Sequence, residues 1–174
     1  MASSTTPEQI VNRILRLAAI NGWCVTVAAG LGALVSLIMA DVIAGITGAI
    51  VMLGGITELR GRRAILRGDA TGVRKLFVAQ LIVLAMVWTY AVTQLLTFDA
   101  ATVIAGLPAE VHTMIADAAI DPAMFERMVT IAHTAVYGVL LLATLIYQGG
   151  LALYYRHRAP LVASVLAGQP PVVS

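Results

Sequence analysis

The polar side chains that could do chemistry in this sequence lie in two apolar stretches: Gln80, Tyr90 and Gln94 in one, and His133, Tyr137 and Gln148 in the other. In the first, Leu76, Gln80, Val83, Val87, Tyr90, Gln94 and Thr97 follow one another at alternating four- and three-residue steps, the spacing of a single helical stripe. In the second, His133, Tyr137, Thr144 and Gln148 fall within a narrow sector of a helix turning about 100° per residue. With the two helices antiparallel, Gln94 would lie at the depth of His133 and Gln80 at the depth of Gln148. Such stripes can line a polar path or ligand pocket through a bundle. They can also simply hydrogen-bond across helices, at about 0.6 kcal/mol for each bond in lipid. The second reading asks less of these residue types.

Other chemistries lack their parts. A haem between helices needs two axial ligands and a metal site three or four. His133 is alone in its stretch, and His112 and His157 fall on opposite sides of the membrane in the topology derived below. Only a second copy of His133 across a dimer would open a route to haem. Neither Ser36 nor Ser164 has a nearby base, so nothing points to a serine hydrolase. The single Cys24 rules out a disulfide or dithiol chemistry within one chain. No Asp or Glu falls clearly inside an apolar stretch, which argues against proton-coupled transport, since that work uses embedded ionisable groups. The expectation is therefore no catalytic residue, no metal and no cofactor.

The elements that must position these residues are set by solvent. Of 174 residues, 60% are hydrophobic and 11% charged, and the mean hydropathy is +0.92. A water-soluble domain carries about 25% charged residues, so most of this surface has to face lipid. About 20 residues cross the hydrocarbon core. The 24 uncharged residues from Leu17 to Ala40 and the 16 from Val42 to Thr57 therefore make two spans, with Asp41 at a tight turn. Small residues favour close packing of that pair: Ala29, Gly30, Gly32 and Ala33 opposite Gly45, Gly48, Ala49, Gly54 and Gly55. The pattern predicts an all-α integral membrane protein forming one domain, with spans at about 18–40, 42–58, 74–97 and 125–154 in two antiparallel hairpins. A basic loop covers 58–75 and an outer loop 98–124.

Amphipathic patterns predict interfacial helices near 7–17 and 107–120. Thr6, Pro7 and Gln9 suit the start of a helix, Gly68 the end of one, and Asp121-Pro122 the start of the last. Trp23, Tyr154 and Tyr155 near span ends fit an interfacial aromatic belt. The tail from Ala159 is apolar, and Pro160, Pro170 and Pro171 argue against a fifth span.

Charge sets the orientation. The 58–75 loop holds six of the eleven basic residues: Arg60, Arg62, Arg63, Arg67, Arg74 and Lys75. With that loop inside, ten of the eleven Lys and Arg residues are cytoplasmic, which predicts both termini inside, in a bacterial inner membrane. The same six residues are candidates to touch anionic lipid or a partner protein. Nucleic acid is not expected, because no aromatic residue interleaves with the arginines. An apolar tail left free would be a liability, which favours partners: other membrane subunits or copies of this chain. The function expected is a non-catalytic accessory or structural subunit of a membrane assembly. The alternative is a homo-oligomeric small-solute or ion channel or carrier, lined by the polar faces of the third and fourth spans.

Overall fold

The structure, a computed structural model, describes residues 6–168, and every regular element among them is a helix. Four helices are long and apolar enough to cross a membrane: Pro7–Ile38, Val42–Leu66, Thr71–Thr97 and Pro122–Leu166. We call the first three α1, α2 and α3. The outer loop carries the short α4 (Ala100–Ala105) and α5 (Ala109–Asp117). The last span is α6 (Pro122–Thr144), a π-helical turn at Leu145–Gly149, and α7 (Gly150–Leu166). The residues group into two compact units, one running to Trp88 and resuming at Thr144, the other Thr89–Ala143.

Local chemistry sets the helix ends. Gln9 N–H donates to Thr6 Oγ1 while Thr6 N–H donates to Gln9 Oε1, a reciprocal cap that satisfies two otherwise free donors. Asp41 accepts from Ala44 N–H at the start of α2, and Ala40 takes a positive φ of 60° to make the reversal before it. Gly68, at φ 82°, ends α2 in the left-handed region where glycine is strain-free. Asp69 then accepts from Thr71 N–H, and the Thr71 contacts hold its carboxyl below the usual range. Asp121 accepts from Ala123 N–H at the start of α6.

Three expectations change. The segment near 7–17 is not a separate interfacial helix, because α1 runs unbroken for 32 residues, about 48 Å at 1.5 Å per residue. No Gly or Pro interrupts Arg16 to Ala19, and the apolar face of this segment has protein to bury against. Val11, Ile14 and Ala18 join Ile65, Val73, Leu76, Tyr155 and Val162 in one buried cluster. The final helix does not stop near 154. It continues through Pro160 to Leu166 and buries Val162 completely, so the chain itself packs the part of the apolar tail within α7, residues 159–166. A proline removes one backbone donor, but burial of Val162 and Tyr155 on either side holds the helix together. Pro170 and Pro171 lie outside the described residues. In the outer loop, α5 stands as its own helix with no buried residue, as the amphipathic pattern near 107–120 suggests, while α4, capped by Asp99, was not foreseen.

Small residues set the α1–α2 contact. A Cβ on Gly55 would lie 2.5 Å from Thr26 Oγ1 and 2.8 Å from its backbone nitrogen. One on Gly48 would lie 2.9 Å from the Ala33 Cβ, and one on Gly30 would lie 3.1 Å from Met52 Sδ. The partner number falls on α2 as it rises on α1. Gly54 departs from the expected set, because its neighbours are Val83 and Ala79 of α3. Gly32 has nothing within 4 Å.

Candidate functional site

The polar side chains that meet inside the first unit come from four helices. Asn21 of α1, Glu58 of α2, Gln80 of α3 and Gln148 of the π turn are all buried, and Tyr155 of α7 is fully so. Asn21 Nδ2 donates to Glu58 Oε2 at 2.6 Å and stands 3.5 Å from Gln80 Oε1. Tyr155 Oη donates to Glu58 Oε1 at 2.9 Å. One carboxyl group is thus the shared acceptor for donors on α1 and α7, each reaching it across a helix boundary.

Glu58 corrects the reading that no carboxylate sits inside the bundle. By sequence it stands at the edge of a basic loop, next to arginines. In the fold it is 1% exposed, and no ion pair reaches it among the described residues. The physical reason is helix phase. Gly54, Gly55, Glu58, Gly61, Ala64 and Ile65 recur at three- and four-residue steps and form the buried face of α2, while Arg60, Arg63 and Arg67 are exposed. Tyr155 also leaves the interfacial belt expected of it. Its ring is in the core cluster and its hydroxyl is spent on Glu58. Trp23, by contrast, is 59% exposed.

Among the described residues, two buried amide atoms have no hydrogen-bond partner: Gln80 Nε2, a donor, and Gln148 Oε1, an acceptor. An unsatisfied buried polar atom costs on the order of 1–3 kcal/mol. Gln148 sits in a π turn, where one extra residue widens the helix; such turns recur at functional positions. The widened turn also sets the phase by which Ala152, Tyr155 and Val162 of α7 face inward.

The six residues of the two polar stripes do not form one feature. Gln80 and Gln148 belong to the first unit, and Gln80 joins Asn21 and Glu58. Tyr90, His133 and Tyr137 meet in the second unit. His133 stacks on Phe98 with ring centroids 3.6 Å apart and lies 4.6 Å from Tyr137, whose ring is 6.3 Å from Tyr90. Gln94, in the same unit, is half-buried. His133 is therefore a member of an aromatic stack, with Phe98 over one face.

The basic loop also divides. Arg62 Nε donates to the Leu15 carbonyl oxygen at 3.2 Å and so ties α2 to α1. Arg60, Arg63, Arg67 and Lys75 line one pocket with Ala64 and Asp69. Arg74 lines two others, one with Thr57, Thr71, Lys75 and Val78, the second with Ala70, Val73, Phe77, Arg156 and Ala159.

The fold defines a class: an all-helical chain with four helices fit to cross a membrane and a polar knot where four helices meet. No protein-family model, curated protein or solved structure matches the chain.

Proposed function

We propose that this chain is a non-catalytic integral membrane protein, an accessory or structural subunit of a larger or homo-oligomeric assembly. In this reading its spans form two antiparallel hairpins, with both termini on the cytoplasmic side of a bacterial inner membrane. The observation that carries the proposal is how the buried polar groups are used: Asn21, Glu58 and Tyr155 are spent on one another, locking α1, α2 and α7. The surface left outward is apolar, as at Ile46 and Leu53 of α2 and Ile131 and Val139 of α6, a surface for lipid or for another apolar helix. The test is extraction in mild detergent followed by native mass spectrometry. A second polypeptide or a fixed multiple of this chain is expected; a bare monomer at every detergent concentration would sink the proposal.

The alternative, a homo-oligomeric channel or carrier for a small solute or ion, now rests on a different residue. An ionisable side chain buried inside membrane-spanning helices is a mark of ion and substrate pathways, and Glu58 is such a residue. Ion flux into proteoliposomes that is lost in Glu58→Gln, with the oligomer intact, would favour this alternative over the first reading.

A further inference from the structure

We propose that the outward face of α2 and α3 beside the 67–70 turn is a binding site for one anionic phospholipid, taking the headgroup and the first part of an acyl chain. Arg60, Arg63 and Arg67 recur at three- and four-residue steps, so they share one face of α2. All three are exposed, as is Lys75 on α3. With Ala64 and Asp69 these four cations line a pocket of about 330 Å³. None of the four has an ion-pair partner within salt-bridge distance among the described residues. The one carboxylate in the lining, Asp69, is engaged with Thr71 N–H. The pocket thus offers four positive charges against one negative, the complement of a phosphate diester with anionic surroundings.

Charge alone would suit any anion. The neighbouring pocket narrows the choice. It measures about 320 Å³, shares Lys75 with the first, and is completed by Thr57, Thr71, Arg74 and Val78. Thr57 spends its hydroxyl on the Leu53 carbonyl oxygen, so it presents its methyl group. Thr57 lies three residues before Arg60 on α2, and Val78 three residues after Lys75 on α3. Both therefore lie further from the turn than the charged pocket, deeper into helices fit to cross a membrane. A charged pocket at the helix ends that shares Lys75 with a second pocket, which reaches from Thr71 and Arg74 near the turn to Thr57 and Val78 further along the span, matches a phospholipid with head outward and chain inward. An acidic protein segment would use the first cavity and leave the second without a purpose. Arg62, directed to the Leu15 carbonyl oxygen, takes no part.

The proposal rests on the membrane reading and is independent of whether the chain is a subunit or a carrier. The full chain, delipidated in neutral detergent, is titrated with phosphatidylglycerol, with phosphatidylcholine and with inorganic phosphate, and read by native mass spectrometry and thermal melting. Phosphatidylglycerol is expected to stay bound and raise the melting midpoint, while phosphatidylcholine and phosphate at equal concentration do neither. Basic residues near a membrane surface contribute about fivefold each, so Arg60→Gln, Arg63→Gln and Lys75→Gln together should weaken phosphatidylglycerol roughly a hundredfold. The lipid-free melting midpoint should not move, since all three side chains are exposed. Val78→Trp should weaken the lipid by filling the second pocket, and Arg62→Gln should leave lipid binding unchanged. Equal binding of phosphatidylcholine, phosphate binding as tight as the lipid, or a triple variant that binds like the wild type would each overturn the proposal. Their failure would leave the subunit reading untouched, because that is read from the polypeptides that co-extract.

Discussion

At the scale of single residues, Glu58 has the most to lose. It accepts from both the Asn21 amide and the Tyr155 hydroxyl, so truncating it strands the Tyr155 donor and leaves Asn21 only the longer, 3.5 Å contact to Gln80 Oε1. A stranded donor costs on the order of 1–3 kcal/mol. Glu58→Ala is therefore expected to lower stability by several kcal/mol, and Glu58→Gln by less, because the glutamine oxygen still accepts one bond. Reversible unfolding in mixed micelles measures both. In a double-mutant cycle, Asn21→Ala and Glu58→Ala should couple by roughly 0.5–3 kcal/mol, as contacting residues do. Strict additivity would show that the 2.6 Å contact contributes nothing. The same bookkeeping separates Arg62 from its neighbours: its guanidinium serves the α1 backbone, whereas Arg60 and Arg63 are exposed and line the charged pocket.

At the scale of elements, the α1–α2 pair is governed by how closely two backbones can approach. Gly55 and Gly32 look alike in sequence, each within a run of small residues. A methyl group on Gly55 would meet Thr26 at 2.5 Å, whereas one on Gly32 meets nothing within 4 Å. Gly55→Ala should destabilise the protein by about 1–3 kcal/mol through overpacking. Gly32→Ala should be neutral or stabilising by up to about 1 kcal/mol, because alanine is the better helix former. Equal effects of the two changes, in the same unfolding assay, would contradict the packing described. The π turn is the other element with a structural consequence. Without its extra residue, α7 would turn by about 100°, and Tyr155 would no longer face Glu58.

At the scale of the whole molecule, the start of the first helix and the end of the last belong to the core. The start of α1 and the end of α7 share one cluster with Ile65, Val73 and Leu76. Ending the chain at Arg158 should therefore lower the melting midpoint and expose Val11 and Ile14. Val162→Ala alone should cost roughly 1.5 kcal/mol, the value of two buried methyl groups. A truncated chain that melts like the full one would show that residues 159–166 are an appendage. This packing also changes the argument for partners. An apolar tail free in water would call for a cover, and for residues 159–166 the chain supplies it, so the proposal of an assembly draws on the inward polar groups being spent on one another and on the apolar faces left outward.

The number of long apolar helices, the turn at Asp41, the Thr6 cap, the Gly68 stop and the Asp121-Pro122 start were all legible in the order of residues. Each depends on hydropathy over a window or on a hydrogen bond within three residues, and such causes are local. The place of Glu58 was not legible, because its linear neighbours are arginines and its partners are 37 and 97 residues away. The same holds for Tyr155, for the continuation of the last helix through Pro160, and for the split of the polar stripes between two clusters. Composition and short-range pattern say which segments prefer lipid. Which side chains turn inward, and onto what, depends on helix phase and on partners distant in sequence, and only folding brings those together.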